Sequence, residues 1–364
     1  MTKIIDTIFI LLVGCIAVGC GPSGPVEPDE VGAQVQDAIA AKLDRYLANL
    51  NASGDFSGSV AVTIDGEMLL AKGYGLANEE LGIAATLRTK YRIGSITKQF
   101  TSMAILILQE QGMLKVEDTL GTHLSDVPAH WAGVTLHQLL THTSGIMHSW
   151  KLSGFAETMM IPATLDETLV RFHDQPLLSD PGTNFAYSGV GYFVLAKVIE
   201  TVSGRSYEDF LRTEIFSPLG MDDTGADTPD VILKDRASGY MLEGDVLKNA
   251  PVIYVPILTG GGNLYSTVKD LSEWEHALTA LRLISPESYD AMYRPELANY
   301  AYGWRVSDRN GRREFRHGGG IPGFRAHILR LPDEHLCVIV LSNVQHAAPG
   351  QIANQLADMV HDLP

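Results

Sequence analysis

A strongly apolar stretch lies between Gly94 and Gly112. Ile96, Phe100, Met103, Ala104, Ile105, Leu106, Ile107 and Leu108 leave it little polar face, and a helix apolar on most sides is a buried one. Upstream, Val35, Ile39, Leu43, Tyr46, Leu47 and Leu50 recur at helical spacing. Residues 58–63 and 68–74 read as strands joined by Asp65-Gly66, a hairpin signal. From about 115 to 240 the pattern is mostly helical with long loops, including helices over 136–140, 189–202 and 207–215, the last stopping before Pro218. Gly260-Gly261-Gly262 reads as a flexible turn and 266–283 as a helix. Strands return over 313–317, 324–330 and 336–341, and a helix over 352–360 closes the chain. Strands at both ends with helices between predict an α+β fold. Its antiparallel sheet is built from the N- and C-terminal segments and flanked by helices, with a mostly helical region inserted.

The first residues follow a different pattern. Lys3 precedes a mostly apolar run over 7–19, which is the form of an export signal and too short for an ordinary membrane span. Leu12-Val13-Gly14-Cys15 and Ala17-Val18-Gly19-Cys20 both resemble the lipobox of bacterial lipoproteins, whose cysteine is lipidated after cleavage. Cys15 has the better box. Cys20 gives the more usual signal length and is followed at once by a Pro/Gly/acidic stretch. The expected organisation is a signal peptide over 1–20, a disordered linker over 21–34 and one domain over 35–364. The expected place is the bacterial cell envelope, with a lipid anchor in a membrane.

Composition narrows the function. At 45% hydrophobic residues the chain supports a sizeable core, and a net charge of −16 argues against nucleic-acid binding. Beyond the leader Cys337 is the single cysteine, inside an apolar strand, so it forms no internal disulfide and reads as a core residue.

Candidate chemistry begins on the apolar helix. Ser95 and Lys98 stand three residues apart and share a face. A lysine in the first turn of a buried helix is costly unless partnered. Beside a serine it can accept the hydroxyl proton, and the helix N-terminus favours an oxyanion above the serine. Ser266-Thr267-Val268-Lys269 repeats the pattern but opens an ordinary amphipathic helix, where Ser266 or Thr267 reads as an N-cap. Two further loops, around Tyr187 and at His317-Gly318-Gly319-Gly320, carry residues without an obvious structural duty. His137, His142 and His148 match no common zinc spacing and read as core, loop or hydrogen-bonding residues. No metal or cofactor is implied. No Gly-x-Ser-x-Gly elbow occurs in the chain, which disfavours an alpha/beta-hydrolase.

The order Ser95-x-x-Lys98, Tyr187-Ser188, His317-Gly318-Gly319 resembles the serine beta-lactamase-like family, which includes class C beta-lactamases, D-alanyl-D-alanine carboxypeptidases, D-aminopeptidases and esterases. Leu139-Leu140-Thr141-His142-Thr143-Ser144-Gly145, Pro218-Leu219-Gly220-Met221, Gly261-Gly262-Asn263-Leu264-Tyr265-Ser266-Thr267 and Gly318-Gly319-Gly320-Ile321-Pro322-Gly323-Phe324 extend the resemblance over about 55–343. It implies a Ser95 nucleophile that forms an acyl-enzyme, with Lys98 and Tyr187 as its proton-handling partners. Which of those two is the base stays open. It implies an oxyanion hole from the N–H groups of Ser95 and Gly320, and a wall lined by His317, Gly318 and Gly319.

Two positions depart from the family. Gly189 replaces an Asn that helps beta-lactamases hold the substrate amide, and His317 replaces the Lys that helps bind the penicillin carboxylate. Arg325 is a candidate for restoring positive charge. The expected activity is therefore hydrolysis of a small-molecule or peptide substrate, an ester or a D-amino-acid amide. A class C-type beta-lactamase and a non-catalytic, penicillin-binding-like envelope protein that binds cell-wall peptides are the alternatives.

Overall fold

The computed structural model describes residues 28–361. Its centre is a six-stranded antiparallel sheet of β1 (Gly58–Ile64), β2 (Glu67–Tyr74), β3 (Arg305–Arg309), β4 (Arg312–Ile321), β5 (Phe324–Leu331) and β6 (Leu336–Ser342). Their order is β3-β4-β5-β6-β1-β2, so the two termini of the fold meet where β1 pairs with β6, Val60 opposite Val340. This is the α+β arrangement expected from strands at both ends of the chain.

The alternation of side chains along β1 and β6 sorts them between two cores. Val60, Val62, Val338 and Val340 pack with Ile39, Leu43 and Leu47 of α1 (Pro28–Ala52). The same cluster includes Ile352, Ala353 and Leu356 from the closing helix at Pro349–His361. Ala61, Ile339 and Leu341 point the other way, into the core shared with α2 (Thr97–Glu110), α3 (Gly189–Ser203) and α4 (Val268–Thr279). α2 is mostly apolar because it is covered on every side, from Thr97 to Leu108. Phe100 meets Trp274 at 4.5 Å and Phe216 at 5.4 Å between ring centroids.

The Asp65-Gly66 turn forms as expected, both residues adopting positive φ (50° and 79°) between β1 and β2. Thr267 caps α4 by accepting from the Asp270 N–H at 3.1 Å, which gives the second Ser-x-x-Lys its structural role. Cys337 is buried in β6.

Several elements differ from expectation. α1 starts at Pro28, inside the stretch expected to be linker. The helical turns after Tyr207 carry on past Pro218 to Leu219, because proline is tolerated in the first turn of the short segment Ser217–Leu219 and Gly220 (φ 70°) ends it. β3 was not foreseen, and β4 runs through all three glycines to Ile321 instead of ending at His317. The signal segment with Cys15 and Cys20 lies outside the described residues. Among those described, no helix is long and apolar enough to cross a membrane.

Candidate active site

Ser95 lies in a single 3-10 turn, Gly94–Ile96, that leads directly into α2. A small three-stranded sheet of Tyr91–Arg92, Leu264–Ser266 and Gly225–Ala226 fixes the approach, and Ile93 donates to the Leu264 carbonyl at 3.0 Å. Ser95 is half-buried, whereas Lys98 one turn on is 1% exposed. The Lys98 Nζ donates to Ser95 Oγ at 3.0 Å and to the Gly261 carbonyl at 2.7 Å. It also lies 5.0 Å from the Tyr187 ring centroid and 5.4 Å from that of Tyr192. The buried Lys98 Nζ is thus held by two oxygens and two aromatic rings.

β4 passes directly under the serine turn. A Cβ at Gly319 would stand 1.9 Å from the Ile93 carbonyl and one at Gly94 2.6 Å from the Gly320 nitrogen, so both glycines are needed for the two backbones to touch. This brings the backbones of Ser95 and Gly320 close together, a Cβ at Gly319 standing 3.3 Å from the Ser95 nitrogen. Ser95 belongs to the first turn, whose N–H groups lack intrahelical acceptors. Pairing between β3 and β4 ends at Arg305↔Arg316, while β4 stays paired with β5 as far as Ile321↔Phe324. Residues 317–321 therefore form a strand edge beside Ser95.

His317 is buried and neutral. Burial, then the charge of Lys98, pushes it down to about 3. Its Nδ1 donates to the Gly318 carbonyl at 2.7 Å, which leaves Nε2 to accept from the Tyr300 hydroxyl at 3.0 Å. His148, its ring stacked 5.6 Å from that of Tyr187, is held down to about 4 by burial and then Lys98. His142 is held well below the usual histidine range by burial first, then by Lys98, His317, His148 and Arg305. At neutral pH the three imidazoles around Lys98 are uncharged.

The structure brings Ser95, Lys98, Tyr187, His317, Gly318, Gly319 and Gly320 together. Gly189 is adjacent, at the start of α3, with His148 Cε1 and Ser149 Oγ each 3.6 Å from where its Cβ would stand. Arg325 is different. It pairs with Gly320 across β4 and β5 and so shares that residue's face, opposite the one that Gly319 turns to Ile93. There its Nε donates to the Gln345 carbonyl at 3.1 Å, so it does not join the groups around Ser95.

The three histidines considered for zinc are engaged separately. His137 pairs with the Tyr302 hydroxyl at 2.7 Å, His142 accepts from the Ser188 N–H at 3.1 Å, and His148 caps the Trp150 N–H at 3.3 Å. A separate cavity of about 530 Å³, lined by Leu124, Trp131, Val194 and Lys197 among others, shares no residue with this site.

Four residues that the structure places beside this group were not among the expected site residues: Gly261 through its carbonyl, Tyr300, His142 and Arg305. The segment 260–262 is packed tight instead of flexible, with a Cβ at Gly260 only 2.4 Å from the Tyr192 carbonyl and one at Gly261 2.7 Å from Phe193. Arg305 is exposed, its guanidinium 5.9 Å from the Phe185 ring centroid and 5.7 Å from that of Tyr300.

A model of the Beta-lactamase family matches residues 43–361 of this chain. Penicillin-binding protein 4* of Bacillus subtilis is 28% identical over 83% of this chain and 71% of its own length. A D-aminopeptidase of Gluconobacter oxydans is 28% identical over 88% of this chain, which spans only 62% of that enzyme. The octameric penicillin-binding protein homologue from Pyrococcus abyssi superposes with a TM-score of 0.80 at 30% identity, covering 88% of this chain and 77% of the other. With nearly all of the described fold inside the family match, the chain belongs to the Beta-lactamase family and is a serine hydrolase.

Proposed function

We propose that this hydrolase acts through an acyl-enzyme on Ser95 and cleaves an ester or the amide of a D-amino-acid peptide. The observation that carries the reading is the 3.0 Å hydrogen bond between Lys98 Nζ and Ser95 Oγ at the mouth of a buried helix. Ser95 Oγ attacks the substrate carbonyl and its proton leaves through Lys98, the group in contact with it. The carbonyl oxygen takes the negative charge between the N–H groups of Ser95 and Gly320. Collapse breaks the ester or amide bond, and the leaving alcohol or amine takes up a proton through Lys98 and Tyr187. Water then attacks the acyl-serine along the same path and releases the acid.

The edge at 317–321 suits an extended substrate laid down as an added strand. In the same direction as β3 its C-terminal end would run toward Arg305. Among the described residues Arg305 has no ion-pair partner, and a substrate with an anionic group on the leaving side suits it. The relative named D-aminopeptidase supports an amide substrate. Lipidation at Cys20 or Cys15 and a place in the cell envelope belong to the same proposal, and mass analysis of the mature N-terminal peptide tests them.

The test is hydrolysis of a short-chain p-nitrophenyl ester and of a D-amino-acid peptide by the native protein and by Ser95→Ala. Turnover lost in the variant supports the reading. Turnover that survives in Ser95→Ala contradicts it. Fast turnover of a chromogenic cephalosporin instead would favour a beta-lactamase, and failure of every substrate together with no labelling by a covalent serine probe would favour a binding protein.

A further inference from the structure

We propose that His142 is a positioning residue that sets the place of Tyr187; the inference rests on the reading of Tyr187 as a proton-handling group. The short helix Leu136–Leu140 ends at Thr141, and His142 then adopts φ 58°, a left-handed conformation that most residues other than glycine avoid. With the backbone so turned, one residue grips both neighbours of Tyr187. The His142 carbonyl accepts from the Ala186 N–H at 2.8 Å, and its Nδ1 accepts from the Ser188 N–H at 3.1 Å. Its ring lies against Tyr187, 4.2 Å between centroids, and also against Tyr300 at 4.5 Å and Tyr192 at 5.1 Å. The ring of Tyr187 so held stands 5.0 Å from Lys98 Nζ.

The hydrogen bond to Ser188 needs a lone pair on Nδ1, so the neutral ring carries its proton on Nε2. That nitrogen is buried and has no partner among the described residues. A side chain kept only to fill space would not require a strained backbone and an unpaired buried N–H. What the arrangement achieves is a fixed Tyr187 loop, at the point where the chain turns into α3.

The side chains of asparagine and glutamine separate this role from packing. The Asn side-chain oxygen can stand where Nδ1 does and asparagine tolerates positive φ, whereas the Gln oxygen stands nearer to the Nε2 position. His142→Asn should keep kcat within about 3-fold, and His142→Gln should lower kcat about 10–100-fold with KM little changed, since misplacement of about 1 Å can cost that much.

The decisive readout is a double-mutant cycle on p-nitrophenyl ester hydrolysis. In a Tyr187→Phe background His142→Gln should cost less than about 2-fold further, because the group it positions is gone. An equal loss in both backgrounds overturns the proposal. Full turnover by Tyr187→Phe alone overturns the reading of Tyr187 instead. If His142→Gln does not fold, His142→Asn carries the test, and a loss of kcat beyond about 10-fold in that folded variant contradicts the proposal.

Discussion

The carbonyl of Gly261 lies 2.7 Å from Lys98 Nζ, a contact between residues 163 positions apart in the chain. It ties the glycine turn before the small sheet to the first turn of α2 and aims the lysine at Ser95. Lys98→Met keeps much of the side-chain volume but removes both hydrogen bonds. It should lower kcat by about 10²–10⁴-fold, the usual contribution of a positioned proton-transfer group. It should also cost about 1–3 kcal/mol of stability, because the buried Gly261 carbonyl loses its donor. Steady-state kinetics and urea unfolding measure the two effects. Turnover within about 10-fold of native, by a variant of about native stability, would remove Lys98 from the mechanism.

Two adjacent glycines on β4 should respond oppositely to one added methyl group. At Gly319 the Cβ would fall 1.9 Å from the Ile93 carbonyl, so either β4 or the serine turn must move. Gly319→Ala should lose about 3 kcal/mol or more and nearly all turnover. At Gly318 the nearest atom is His327 Nδ1 at 3.6 Å, an ordinary contact. Gly318→Ala should keep its stability within about 0.5 kcal/mol. Thermal unfolding of the pair checks this, and equal effects would mean that β4 does not press on the Ser95 turn as described.

Gly189 leaves room that an asparagine can use. A Cβ placed there would find its nearest neighbours, His148, Ser149 and Phe193, at 3.6–3.7 Å, and helix α3 continues normally from it. Gly189→Asn should fold with a Tm within a few degrees of native, on the order of 0.5 kcal/mol or less. The new amide should raise kcat/KM on a chromogenic cephalosporin about 10-fold, the worth of one hydrogen bond to the substrate amide. No change would show that the missing Asn is not what limits this site against beta-lactams.

Stability should fall with acid, and His317 accounts for one share of the fall. Unfolded, the imidazole titrates near 6.5; folded, it is held down to about 3 by burial and Lys98. Above 6.5 both states are neutral and the group contributes nothing to the pH dependence. Between 6.5 and about 3 the unfolded state binds a proton that the folded state refuses, so stability drops as pH falls. The slope is about 1.4 kcal/mol per pH unit, or about 2 kcal/mol between about pH 7 and pH 5. His317→Gln should remove that share of the slope in denaturant unfolding at the two pH values. An unchanged slope would contradict a buried, neutral His317.

The sheet and its hairpin were legible because Val60, Val62, Val338 and Val340 alternate with Ala61 and Ile339 between two apolar cores. β3 was not, because Arg305-Val306-Ser307-Asp308-Arg309 is a polar edge strand whose pairing is set by its neighbour β4. The three glycines looked like the end of a strand, yet β4 continues through them, and Gly319 is the one that lets it pass under Ile93 and Ser95. At the site, Ser95, Lys98 and Tyr187 stood out through their order in the chain. The Gly261 carbonyl, Tyr300 and the grip of His142 did not, because backbone atoms and contacts distant in sequence leave no local pattern. Arg325 carried the right charge, but strand register turned it to the other face.

The most direct test of the account is mass spectrometry of the protein quenched during turnover of a p-nitrophenyl ester. A single added acyl group is expected, located on the peptide that contains Ser95 and absent from Ser95→Ala. An acyl group on any other residue, or steady turnover without an acylated intermediate under conditions where deacylation is the slow step, would contradict it.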